Sequence, residues 1–64
     1  MVRINGEDLP AAGKTVAECL AGMDCDAQRV AVERNGQIIP RAKYGETVLQ
    51  EGDCVEVVRF VGGG

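Results

Sequence analysis

The chain opens on an alternating stretch, "MVRIN", in which Val2 and Ile4 fall on one side of an extended segment and Arg3 on the other, as a half-buried strand requires. Asn5-Gly6 follows, and both residues tolerate the positive φ of a two-residue hairpin turn. The segment from Glu7 to Ala12 is expected to return as a second strand. It belongs at an edge, since Pro10 has no N–H to give to a central ladder. The period then lengthens. In "GKTVAECLAGM", Val16, Cys19, Leu20 and Met23 recur at i, i+3, i+4 and i+7 and form one apolar helical stripe. Thr15 and Glu18 are spaced for a capping box at its start, and Gly22 with the polar "DCD" predicts its end just after Met23.

The hairpin grammar repeats in "RVAVERNGQIIP". Val30 and Val32 alternate with Ala31 and Glu33, Asn35-Gly36 turns, and Ile38-Ile39 begins a return that Pro40 stops. Beyond it "RAKYGETVLQEGD" has no clear period and reads as a loop, with one short helical turn expected at residues 46–49 before Gly52-Asp53 launches a last strand. That strand, "CVEVVRFV", is apolar on both sides, with Val55 and Val57 on one and Val58 and Phe60 on the other. Two readings stand: a central strand buried on both faces, or a strand whose Val58 and Phe60 remain exposed as a partner-docking patch. The order of elements is ββαβββ. One helix can cover only one face of a sheet of four or five strands, so the fold class is a two-layer α+β domain with its other face open. Residues 1–60 are expected to make the domain and residues 61–64 a flexible C-terminal tail.

Composition narrows the function. A chain of 64 residues, 45% apolar and 27% charged, has the balance of one small folded domain. With one Tyr, one Phe and no Trp the core must be aliphatic, and a surface for stacking bases is not expected. The formal net charge of −3 and the lack of a Lys/Arg cluster argue against nucleic acid and favour protein partners with basic docking surfaces. No apolar run approaches the length of a membrane span and no signal peptide is recognisable, so a cytoplasmic location without membrane association is expected. Cys19, Cys25 and Cys54 lack CxxC spacing and have no His to join them, so no metal site is expected; they read as small hydrophobes at or near the core.

Side-chain catalysis has little to work with. His is absent, no carboxylate pair is marked out by spacing, and no helix follows "VGGG" to form a phosphate cradle. The expectation is a protein with no catalytic residues, one that is not an enzyme. The reactive group that remains is the α-carboxylate of Gly64. Three glycines cannot help a core, but without Cβ atoms they fit a channel too narrow for ordinary side chains. Extended, residues 61–64 carry the carboxylate roughly 13 Å beyond the domain. Its pKa of about 3.5 makes it an ionised, poor electrophile at neutral pH, so it reacts only after activation, for example as an acyl-adenylate.

The whole chain, and especially "VRFVGGG", "EGDCVEVV" and "NGQIIPR", resembles the ThiS family of ubiquitin-like β-grasp proteins, the sulfur carriers of thiamine biosynthesis. The resemblance implies a β-grasp fold and no bound cofactor. Gly64 would be adenylated by an E1-like (ThiF-like) enzyme using ATP and Mg²⁺, then converted to a thiocarboxylate with sulfur from a persulfide donor protein. The acceptor it implies is a thiazole synthase (ThiG-like), with Gly62 and Gly63 threading into the partner's active site. Related carriers for molybdopterin or amino-acid biosynthesis share the fold and the Gly-Gly end. A ubiquitin-like modifier joined to lysines, and a plain interaction domain, are the other readings.

Overall fold

Both Asn-Gly pairs form the turns their chemistry favours. Asn5 and Gly6 take φ of 51° and 85°, and Asn35 and Gly36 take 51° and 84°. This mirror-image turn matches the natural twist of paired strands. A computed structural model, which describes residues 1–60, accordingly folds β1 (Val2–Ile4) back as β2 (Glu7–Leu9) and β3 (Val30–Arg34) back as β4 (Gln37–Ile39). Pro10 lies just past β2, which is an edge strand as expected.

Between the hairpins runs α1 (Val16–Gly22), and the capping box is present in both directions. The Glu18 amide donates to Thr15 Oγ1 at 3.1 Å, and the Thr15 amide donates to Glu18 Oε1 at 2.8 Å. A helix of two turns is marginal in water on its own. What holds this one is burial: Val16 and Leu20 are each 2% exposed and pack against the inward faces of the strands, with Cys19 and Met23 half-buried at the margin.

The last strand, β5 (Cys54–Arg59), enters the middle of the sheet, parallel to β1 and antiparallel to β3. The strand order is β2-β1-β5-β3-β4. A mixed five-stranded sheet with one helix on one face is the ubiquitin-like β-grasp arrangement. The turn asparagines also pin β5 from both sides. The Asn5 amide donates to the Val55 carbonyl at 3.0 Å while its Oδ1 accepts from the Val57 amide at 2.8 Å. Across the strand, the Asn35 amide donates to the Cys54 carbonyl at 2.8 Å and its Oδ1 accepts from the Cys54 amide at 3.0 Å.

At the foot of β5, Asp53 accepts from Asn35 Nδ2 at 3.1 Å and from the Gln50 amide at 2.9 Å, and faces Arg34 Nε at 3.6 Å. Partial burial pushes this carboxyl up, but the two hydrogen bonds and the guanidinium together outweigh it and hold the group below the ordinary carboxylate value. The capping bonds from Thr15 lower Glu18 in the same way. A depressed folded-state pKa gives stability that is complete above the unfolded value of about 4 and is lost as pH falls through the folded one. The thermal midpoint should therefore fall below about pH 4, and less steeply in Asp53→Asn than in the parent. Circular dichroism melts from acid to neutral pH check this, and identical slopes would show that the Asp53 contacts contribute nothing.

Two expectations need correction. No helical turn forms at residues 46–49: Val48 pairs instead with Thr15 in an isolated antiparallel bridge. The turn lies earlier, a 3₁₀ turn at Arg41–Lys43 following Pro40, where Arg41 donates to the carbonyls of Ala27 at 3.1 Å and Gln28 at 3.3 Å. Finally, Cys54 is exposed on the open face because it starts β5 with an outward side chain, whereas Cys19 and Cys25 are half-buried against the core. The proposed tail at residues 61–64 lies outside the described residues.

Candidate functional site

Along β5 the side chains alternate across the sheet. Val55 is buried and Val57 half-buried toward the helix, while Cys54, Glu56, Val58 and Phe60 point the other way and are exposed. The reading in which the central strand is covered on both faces therefore fails, for the reason the element count implies: a single helix shields one face. Val58 is 55% exposed and Phe60 54%, so both sequence-predicted docking residues stand on the open face, on the strand that runs on toward the glycines. Gly62, Gly63 and Gly64 themselves lie outside the described residues.

Neighbouring strands complete the surface. The β3–β5 register sets Ala31 opposite Val58 and Glu33 opposite Glu56, and the β3–β4 register sets Ile38 opposite Glu33. Ile38 is 65% exposed. At one end of the face, Arg3 Nε meets Asp8 Oδ1 at 3.2 Å. At the other, the Phe60 amide donates to the Arg29 carbonyl at 2.9 Å, so strand-like pairing carries on one residue past β5. The exposed end of the sheet thus combines aliphatic and aromatic side chains with two acids.

The place of Ile38, Glu33 and Glu56 in this surface was not drawn from the alternation pattern. A signal existed for Ile38, since a two-residue Asn35-Gly36 turn makes Arg34 face Gln37 and Glu33 face Ile38. Glu56 needed the long-range pairing of β3 with β5.

Among the described residues no group of three or more His, Cys, Asp or Glu side chains is placed to hold a metal ion. Burial raises the Cys19 thiol.

The comparisons with known proteins agree with this architecture. The model of the ThiS family matches residues 2–64. The chain is similar to a thiazole synthase of Magnetococcus marinus, with 47% identity over 98% of the chain, and it spans about a fifth (20%) of that protein's length. It is also similar to the sulfur carrier protein ThiS of Bacillus subtilis, with 38% identity over 100% of both chains. Among solved structures, the crystal structure of the thiamine biosynthesis protein ThiS of Geobacter metallireducens superposes with a TM-score of 0.78 at 33% identity, covering 98% of this chain and 97% of that one.

Proposed function

The chain belongs to the ThiS family, and we propose that it does the family's work: it is a sulfur carrier of thiamine biosynthesis, and the acyl group that carries the sulfur is that of Gly64. The similarity to a curated sulfur carrier over the full length of both chains is the observation that carries this reading. It is a protein substrate rather than a catalyst, which fits the absence of His from the sequence.

The chemistry follows from the carboxylate. An E1-like partner spends ATP, with Mg²⁺, to convert it into a mixed anhydride with AMP, releasing pyrophosphate and making the carbonyl electrophilic. A persulfide sulfur displaces AMP, and cleavage of the S–S bond by a thiol leaves a terminal thiocarboxylate. The sulfur then passes to a thiazole synthase. Support for that acceptor comes from the thiazole synthase of Magnetococcus marinus, one fifth of which is similar to this chain.

Val58 and Phe60 hold the carrier against the adenylating enzyme while Gly62 and Gly63 lead Gly64 into its active site. The exposure of both residues on the strand that precedes the glycines supports this division of labour. The described residues include no helix long and apolar enough to cross a membrane.

The test is intact-mass spectrometry of the chain after incubation with a ThiF-like adenylating enzyme, ATP, Mg²⁺ and a persulfide source. The expected product has one carboxylate oxygen replaced by sulfur. If the same enzyme modifies another carrier and leaves this one unchanged, the reading fails, and isopeptide-linked Gly64 recovered from cells would assign the chain to the modifiers instead.

A further inference from the structure

On the open face, Ala31, Glu33, Ile38, Glu56 and Val58 line a shallow depression of about 300 Å³. We infer that this depression is a socket for an arginine side chain of the docking partner, with Glu33 and Glu56 as its carboxylate walls. The inference deepens the docking role proposed above and rests on it.

The first observation is a like-charge pair. Glu33 and Glu56 sit directly opposite each other on adjacent antiparallel strands, both exposed. Two carboxylates so placed destabilise the sheet that carries them. Among the described residues neither has an ion-pair or hydrogen-bond partner for its side chain, because the nearby cations are engaged elsewhere. Arg3 holds Asp8 at 3.2 Å, and Arg34, which follows Glu33 and points to the other side of the sheet, faces Asp53 at 3.6 Å.

The second observation is what surrounds the pair. Ile38 lies beside Glu33 across the β3–β4 ladder, and the Ala31–Val58 pair forms the next row toward Phe60. Ala31 leaves room that a larger residue would fill. An arginine matches both features, since its methylene stem can lie along Ala31, Val58 and Ile38 while its head reaches the acids. The planar guanidinium has five N–H donors in a fixed fork and can engage two carboxylates at once, whereas an ammonium is a point charge that cannot bridge them with the same geometry. An overall charge of −3 also favours a basic partner surface.

Titration calorimetry of the intact chain against the ThiF-like adenylating enzyme, at low and at high salt, tests the socket. The comparison is between the parent, Glu33→Gln/Glu56→Gln, and a control that removes the same charge elsewhere, Glu46→Gln/Glu51→Gln. The socket variant should bind roughly 10- to 100-fold more weakly and lose part of the salt dependence, with the control close to the parent. Freed of its like-charge pair, the socket variant should also melt at a higher temperature than the parent. Equal affinity of parent and socket variant overturns the socket and leaves the carrier reading standing. Equal weakening in both double variants makes the effect one of net charge and overturns it as well, as does a lower melting temperature in the socket variant. A parent chain that the enzyme does not bind at all overturns both readings.

Discussion

Gly63→Val should fold as the parent does and fail to acquire sulfur. On the proposed reading of residues 61–64 as a threaded tail, the stability should stay within the range of a neutral surface substitution, about 0.5 kcal/mol. The chemistry is another matter. A valine adds two methyl groups and a Cβ at the residue next to the acyl group proposed to react, in a segment proposed to pass where ordinary side chains cannot. A misplacement of about 1 Å at a reacting centre costs on the order of 10²-fold in rate, and this substitution imposes at least that. The initial rate of thiocarboxylate formation, read by intact mass, should therefore fall at least on the order of 10²-fold while circular dichroism melts coincide. Conversion at the parent's rate would mean that the tail is not threaded through a narrow channel.

Leu49→Ala should act in the opposite way, on the fold and not on the chemistry. Leu49 belongs to a loop, yet it is 1% exposed and among the largest fully buried side chains. Its backbone is clamped: the Leu49 amide donates to the Lys14 carbonyl, and the Leu49 carbonyl accepts from the Gly13 amide, both at 2.8 Å. A clamped backbone cannot sink to fill the cavity, so the loss should lie in the usual range for such truncations, about 2–5 kcal/mol. In a domain of this size each kcal/mol moves the midpoint by about 4–8 °C, which makes the expected drop roughly 8–40 °C. Thermal unfolding followed by circular dichroism measures it. A drop of only a few degrees would show that the loop collapses onto the helix after all.

Local chemistry made much of this fold legible. The two Asn-Gly turns, the Thr15–Glu18 box and the valine alternation each specify their element through contacts a few residues apart, and each is found where the pattern placed it. What stayed hidden depends on distant partners. Residues 41–43 turn where Arg41 reaches carbonyls 13 and 14 residues earlier, and Val48 is held extended by Thr15. Tyr44, buried at 4% exposure, lies in the same stretch, which lacks a period because its contacts are not local. For the site, the sequence left two readings of β5 open, and the exposure of Val58 and Phe60 selects the one in which the strand has an open face. The opposition of Glu33 and Glu56 was not legible, because only the pairing of β3 with β5 brings the two acids together.

The pairing of β1 with β5 has a mechanical consequence. The two strands run side by side in the same direction, joined through the Arg3 amide to the Asp53 carbonyl at 2.9 Å and the Asn5 amide to the Val55 carbonyl at 3.0 Å. A tug on the residues after Phe60, resisted at Met1, would slide one strand lengthwise past the other and load these bonds together rather than peel them apart in turn. An enzyme that grips the glycines and pulls would therefore tow the domain as one rigid body, with little of the force spent on unravelling it.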